Sequence, residues 1–451
     1  MPAPHVDFTY ERLPNGLRYI LAPDPLAPVV AVNVWYGVGS RHETAGKTGF
    51  AHLFEHVMFQ GSAHVSKAEH IALVQAAGGT MNGTTWLDRT NYFETMPSHQ
   101  LELALWLEAD RMATLLEALS QENLDNQREV VKNEKRWSYD NQPYGLWSHK
   151  LQAHLFPEDH PYHHPTIGSM EDLDAASLED VSAFFRTHYA PNNAVVSVVG
   201  DFDPVEARAM IARLFGPIAA APAPPPLPDM SLPLSLGGES REEVVDRVPL
   251  ARVYVGFRAP TFGDPRLHAL EIAGQILSGG KGSRLHRRLV REERIAQDAA
   301  FFVMGFVGGA SIAAGWATVR PGVDVARVEA AYLEELDRIA REPVTGDELA
   351  RARALVETEA VGALQRVEDR ADQLSMYATL FDDPERINRE LAAYLAVTAE
   401  DIRAVCAETF PADHRTVITY LAAPGGPADD EAAVDGGAVD RGADAGTEVA
   451  A

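Results

Sequence analysis

Apolar and polar residues follow two rhythms along this chain, and the switches between them mark its elements. Residues 8–13 and 17–22 read as paired strands joined at Asn15-Gly16, a dipeptide suited to a tight hairpin turn. An apolar strand follows at 29–36, and the Gly-containing loop 37–49 leads into a helix that starts near Phe50. A second helix, about 67–77, is expected to be capped by Ser66 and ended by Gly78-Gly79. Residues 80–96 read as two strands turning near Leu87-Asp88. Helices are predicted over 101–116 and 120–139, a core strand over 193–199 and a short helix over 203–215.

Seven prolines between 216 and 235 interrupt every regular pattern, which predicts a semi-rigid linker. Beyond them the order repeats. A strand at 252–257 stands where 29–36 stood, and a helix at 265–278 stands where the helix near Phe50 stood. Long helices at 323–340 and 347–373 and a closing strand at 414–421 complete the second copy. The predicted fold class is α+β: two homologous α/β-sandwich domains, each a mixed or antiparallel sheet with packed helices. Their expected bounds are 1–215 and 236–423, with the linker at 216–235 and an acidic tail at 424–451.

Composition narrows the function. A chain of 451 residues exceeds what one core usually supports, which agrees with two domains. No apolar run reaches the roughly 18 residues of a membrane span. The N-terminus carries no secretory pattern and the single cysteine, Cys406, precludes an internal disulfide, so a reducing, cytoplasmic location is expected. The formal charge of −26 argues against nucleic acid, whose binding needs basic patches. Seven acids against one base between Asp429 and Glu448 supply −6 of it, in a segment expected to be disordered.

The candidate chemistry lies in His52-Leu53-Phe54-Glu55-His56. On a helix, residues four apart share a face, so the two imidazoles form half of a tetrahedral zinc site, with Glu55 beside them to act on water. His-x-x-Glu-His is the inverzincin order. The second copy has His268-Ala269-Leu270-Glu271-Ile272, with isoleucine at the fifth position, so His268 is expected to be a partly exposed helix residue without a metal. A catalytic zinc wants a third protein ligand. Glu122, Asp125, Glu129 and Glu134 in the helix after Ser120 are the candidates. Gln127 and Glu134, seven apart, share a face from which Glu129 points away, and this favours Glu134 among the four.

Gly49-Phe50-Ala51-His52-Leu53-Phe54-Glu55-His56-Val57-Met58-Phe59-Gln60-Gly61-Ser62 resembles the active-site helix of the pitrilysin family of zinc metallopeptidases. That family includes insulin-degrading enzyme, the mitochondrial processing peptidase and bacterial two-domain peptidases. Its third ligand follows in a helix similar to Arg128-Glu129-Val130-Val131-Lys132-Asn133-Glu134, and Glu134 lies 78 residues after His56. The resemblance implies that His52, His56 and Glu134 bind Zn2+ and that Glu55 is the catalytic base. It implies a half-clamshell architecture. It further implies that 80–85, with Thr80, Asn82, Gly83 and Thr84, forms the edge strand that pairs with a substrate backbone. His160-Pro161-Tyr162-His163-His164-Pro165-Thr166-Ile167-Gly168 also resembles a family segment, and its histidines are expected in surface or packing roles.

Two positions depart from the family pattern. Gln127 replaces a glutamate expected in the second shell of the metal. Arg291 matches the arginine of an Arg/Tyr pair that completes the site, but Asp298 occupies the tyrosine position. An ionised aspartate cannot donate a hydrogen bond to a developing oxyanion. The implied function is a zinc-dependent endopeptidase of unfolded peptides, acting as the catalytic subunit of a heterodimer whose homologous, non-catalytic partner supplies the Arg/Tyr pair. The alternatives are a non-catalytic structural or assembly subunit and a zinc hydrolase of other substrates.

Overall fold

Strands that are apolar on both faces need cover on both faces, and this chain provides it by exchanging helices between two sheets. The computed structural model describes residues 5–223 and 226–423; the expected acidic tail at 424–451, and Pro224 and Pro225 of the linker, lie outside the described residues. Strands β1 (Thr9–Arg12), β2 (Arg18–Pro23), β3 (Val29–Tyr36), β4 (Thr80–Thr85), β5 (Thr90–Pro97) and β6 (Ala194–Gly200) form the first sheet, in the order β1-β2-β6-β3-β5-β4. Strands β7 (Ser240–Asp246), β8 (Arg252–Ala259), β9 (Ala296–Met304), β10 (Ser311–Val319) and β11 (Arg415–Ala422) form the second, in the order β7-β11-β8-β10-β9. Apart from β1, the two orders correspond strand for strand. In each sheet one pair is parallel, β2 with β6 and β7 with β11, and the other pairs are antiparallel. The fold is the two-domain α+β arrangement expected from the sequence.

Alternation along each strand decides which face meets which helices. Val30, Val32, Val34 and Tyr36 of β3 join Phe50, Leu53, Leu105 and Ile211 in the core beneath the first sheet's own helices. Ala31, with Ile20, Val195 and Val199, faces the other way, onto Ala371, Leu374 and Ala378 of the helix Val367–Phe381. That helix comes from the C-terminal half and lies across β3 and β6. The converse holds for the second sheet. Val253, Val255 and Phe257 face their own helices, while Tyr254, Ile312 and Ile418 meet Leu151 and Leu155 of the N-terminal helix Trp147–Leu155.

Several elements differ from expectation for identifiable reasons. The helix expected over 347–373 is two, Gly346–Ala363 and Val367–Phe381, with Arg366 extended between them, so the second piece can cross the other sheet. The second helix begins at Glu69 rather than 67, because Glu69 folds back and accepts hydrogen bonds from the Ser66 amide and hydroxyl. The helix expected over 120–139 is capped by Ser120, whose hydroxyl accepts from the Asn123 amide, and becomes a wider π turn at Arg136–Asp140. Strand β7 has no strand signature in the sequence because SREEVVD sets three charged residues before two adjacent valines, at a sheet edge. Cys406 is a buried core residue whose thiol pKa burial raises. Among the described residues no helix is long and apolar enough to cross a membrane.

Two measurements test this packing. Truncating the fully buried Leu374 to alanine should cost about 2–5 kcal/mol in denaturant unfolding, whereas the exposed Leu26→Ala should cost under about 0.5 kcal/mol. His42 and His188, with ring centroids 5.6 Å apart, have pKa values lowered by burial to about 3 and about 4. Unfolded, both bind a proton near the ordinary value of about 6.5, so the unfolded state takes up more protons as the pH drops. Their contribution is full above that value and is lost as pH falls through the window down to about 4. Urea midpoints should fall across it, and less so for His188→Phe.

Candidate metal centre and active site

The helix Phe50–Val57 carries the motif, and all eight of its residues are buried. Its free N-terminal amides are satisfied by a carboxylate rather than by a neighbouring cap residue. Glu43 accepts from the amides of Gly49 (2.8 Å) and Ala51 (2.7 Å), a favourable placement of negative charge at a helix start. His164 in turn holds Glu43, its Nε2 lying 2.9 Å from Oε2. Gly49 has φ +88°, and a Cβ there would come within 2.9 Å of the Ile167 carbonyl oxygen. A Cβ on Gly168 would lie 2.3 Å from the Gly49 backbone. The segment 160–168 therefore serves as the seat of the motif helix. His160 and His163 bond the backbone oxygens of Met230 and Phe156. Sequence reasoning missed Glu43 altogether, since nothing local marks an acid seven residues upstream of a helix as its cap.

Opposite runs the helix Gln121–Lys135, whose face of Leu124, Gln127 and Val131 is buried and whose next position on that face is Glu134. Glu122, Asp125 and Glu129 are exposed. The structure brings Glu134 to the two imidazoles: its Oε1 lies 3.6 Å from His52 Nε2 and its Oε2 3.2 Å from His56 Nε2. Two ligands each about 2.0–2.1 Å from a tetrahedral zinc sit about 3.3 Å apart, so these separations suit a shared cation. His56 Nε2 is buried without an aligned hydrogen-bond partner despite its distance from Glu134, which is what a missing central ion would leave. The donor set therefore fits a divalent metal.

Electrostatics agree. Burial, and then the neighbouring His56, lower the His52 pKa to about 4, leaving a neutral imidazole free to donate its lone pair. Burial pushes the Glu134 carboxyl up, but the His56 and His52 rings outweigh it and hold the group ionised below its ordinary value. Glu55 is the reverse case: burial raises it to about 7, against the opposing pull of the Thr85 hydroxyl and His56. A buried carboxyl near neutrality suits a group that must both take and give a proton.

Strand β4 forms the free edge of the first sheet and carries Thr80, Asn82, Gly83 and Thr84. Gly83 faces the motif helix so closely that a Cβ would lie 3.3 Å from Glu55 Cγ and 3.0 Å from the Tyr92 ring. A second cluster of possible ligands, His70, Glu94 and Glu108, already contains its counter-charge. Arg111 pairs with Glu108, lies 4.0 Å from Glu94 and stacks over Tyr92 at 4.3 Å, so the cluster reads as a buried ion network.

The remaining positions lie in the C-terminal half. Arg291 is exposed on the π turn His286–Glu292. Asp298, on β9, accepts hydrogen bonds from Trp316 Nε1 (2.9 Å) and the Thr318 hydroxyl (3.0 Å), which tie β9 to β10. His268 is buried, contrary to the partial exposure expected, because three helices pack around Pro265–Ser278. It pairs with Glu390 at 2.7 Å, and Tyr394 donates to Glu271 at 2.5 Å.

Comparison with known proteins follows the same division. A family profile described as insulinase (peptidase family M16) matches residues 18–160, and one described as the peptidase M16 inactive domain matches 175–356. The zinc protease PqqE of Helicobacter pylori is 28% identical over 420 residues, covering 90% of this chain and 91% of that one. The crystal structure of a protease from Helicobacter pylori superposes with a TM-score of 0.86 at 27% identity, covering 92% and 100% of the two chains. The fold also spans 93% of this chain but 48% of the periplasmic protease PqqL from Escherichia coli, with a TM-score of 0.73 at 18% identity. With both halves matched and the fold shared, this chain belongs to the M16, or pitrilysin, family of zinc-protease-like proteins.

Proposed function

We propose that this chain is a zinc-dependent endopeptidase, the catalytic subunit of a heterodimer, that hydrolyses unfolded peptides or protein segments. The observation that carries the reading is the convergence of Glu134 on His52 and His56 with Glu55 beside them. The inactive-domain match covers 175–356, outside the residues of this group. Zinc held by His52, His56 and Glu134 would supply a Lewis acid that acidifies water and polarises a carbonyl. Glu55 takes the proton from the attacking water and passes it to the leaving amine nitrogen. The free edge of β4 lies beside it and orients an extended peptide by main-chain hydrogen bonds, a mode tolerant of sequence and suited to unfolded segments. Gly83 keeps the strand within reach of Glu55. Gln127 is buried on the same helix face as Glu134 and brings no charge to it.

The heterodimer reading rests on Asp298. Its carboxylate is engaged by Trp316 and Thr318 and, ionised, has no proton to offer an oxyanion. A donor must come from another chain, and a fold that spans about half of a longer family protein suits pairing with a second half. Arg291 is exposed and free to face that partner.

Two outcomes are expected. Glu55→Gln should bind one zinc like the wild type and lose at least about 100-fold in turnover of a quenched peptide, whereas His56→Ala should lose the metal itself, both read by metal analysis and hydrolysis. A zinc-loaded wild type inert with every partner would favour an assembly role. Adding a homologous chain that lacks the motif but carries the Arg/Tyr pair should raise kcat about 100-fold. Full activity of the isolated chain, unchanged by such a partner, would refute the heterodimer.

A further inference from the structure

The C-terminal half contributes none of the His52, His56 and Glu134 group, yet one of its carboxylates reaches across the outer face of the first sheet toward β4. Asp372, on the crossing helix Val367–Phe381, accepts three hydrogen bonds on one oxygen: from Trp35 Nε1 (2.8 Å), Asn91 Nδ2 (3.0 Å) and Asn33 Nδ2 (3.1 Å). The side-chain oxygen of Asn91 in turn accepts from Arg89 Nη1 (2.9 Å) and from the Thr84 hydroxyl (2.5 Å). Arg89 Nη1 also donates to the Thr84 carbonyl oxygen (2.9 Å). An unbroken relay thus runs from Asp372 through Asn91 and Arg89 to the backbone of the edge strand. Arg89 lies over the Trp35 ring at 5.0 Å, which confines its guanidinium plane.

A second tether holds the tip of the same hairpin. Asp88 accepts from the Val307 amide of the C-terminal half (3.1 Å) and pairs with Arg41 (2.8 Å). Tyr162 donates to Asp88 (2.5 Å) and accepts from the Gly308 amide (3.0 Å). The strand next to Glu55 is therefore gripped at its side and at its tip by groups from the other half. An edge strand left alone has unpaired backbone groups on one side and no neighbour to fix its position. Gly83 leaves little tolerance, because a small shift of β4 changes its distance from Glu55.

We infer that Asp372, Asn91 and Arg89 are positioning residues through which the metal-free half holds β4 in register for a substrate backbone. Arg89 makes no hydrogen bond to the proposed ligands or to Glu55, whose ionised form its charge favours only as a minor effect; it holds the strand through Thr84. The role of β4 as a substrate strand rests on the peptidase reading above, whereas the grip on the strand does not.

The test uses the full chain loaded with zinc, as wild type, Arg89→Met, Arg89→Lys and Asp372→Asn. Amide hydrogen exchange over Thr80–Thr85 should quicken about tenfold in Arg89→Met, the effect of losing one hydrogen bond from a charged group. Exchange over Phe50–Val57 and the zinc stoichiometry should stay at wild-type values. Arg89→Lys keeps the charge but not the fork that reaches Thr84 and Asn91 together, so it should restore only part of the protection. Asp372→Asn should shift the strand in the same direction by a smaller factor. With peptide substrate and the homologous partner chain present, KM should rise about tenfold and kcat stay within about twofold, because the strand binds rather than reacts. Unchanged exchange over Thr80–Thr85 in Arg89→Met would overturn the inference, as would equal loosening of the motif helix. A wild type that cleaves no peptide even with a homologous partner chain defeats the peptidase reading alone, because the exchange measurement still decides this one.

Discussion

The burial of both faces of two sheets by helices traded across the molecule is the constraint on which everything else rests. A sheet that is apolar on one face can leave the other to water, but Ala31, Val195 and Val199 on one side and Tyr254, Ile312 and Ile418 on the other cannot be left wet. Each half therefore completes its partner's core. The two halves are joined by interdigitation rather than by a thin contact patch, and the proline-rich connection is pinned as well, with Met230 buried against Tyr162. Such an arrangement fixes the relative position of the halves closely enough for hydrogen bonds to pass between them.

That rigidity matters for the site, whose parts come from three separated stretches of chain. The motif helix is seated by Glu43 and by the backbone contact of Gly49 with Gly168. The helix carrying Glu134 is held by Lys132 to Asp174 and by Arg128 to the Ala176 carbonyl. None of these supports touches the His52, His56 and Glu134 group, yet each restricts where a ring or carboxylate can go. The site also keeps opposite charge states side by side: a neutral imidazole, an ionised carboxylate and a carboxyl poised near neutrality. Burial produces the first and the third, and the neighbouring imidazoles, overriding burial, produce the second.

Much of this was legible in the chain itself. Strong local signals survived: Asn15-Gly16 turns a hairpin, Gly78 ends a helix with positive φ, and Ser120 and Asp203 cap the helices after them. The apolar run of β3 was plain, though what covers its second face was not, because the helix on that face begins more than 330 residues later. Glu134 was one of four acids on a charged helix, and only helical phase and family resemblance singled it out. The exposure of His268 was misjudged because its partner, Glu390, is 122 residues away and spacing says nothing about such pairs. Asp372 carried no signal at all: an acid in a helix heptad reads as solvated until the sheet it crosses is known.

The divergence of the two copies has a consequence of its own. Where the first copy has His56, the second has the fully buried Ile272, and the polar side chains that remain have found one another, His268 with Glu390 and Glu271 with Tyr394. Polar side chains shut in without partners would ordinarily be a liability, a pocket of thirsty heteroatoms in an oily interior. Here neighbouring side chains quench that thirst, so the second copy keeps these groups as internal struts.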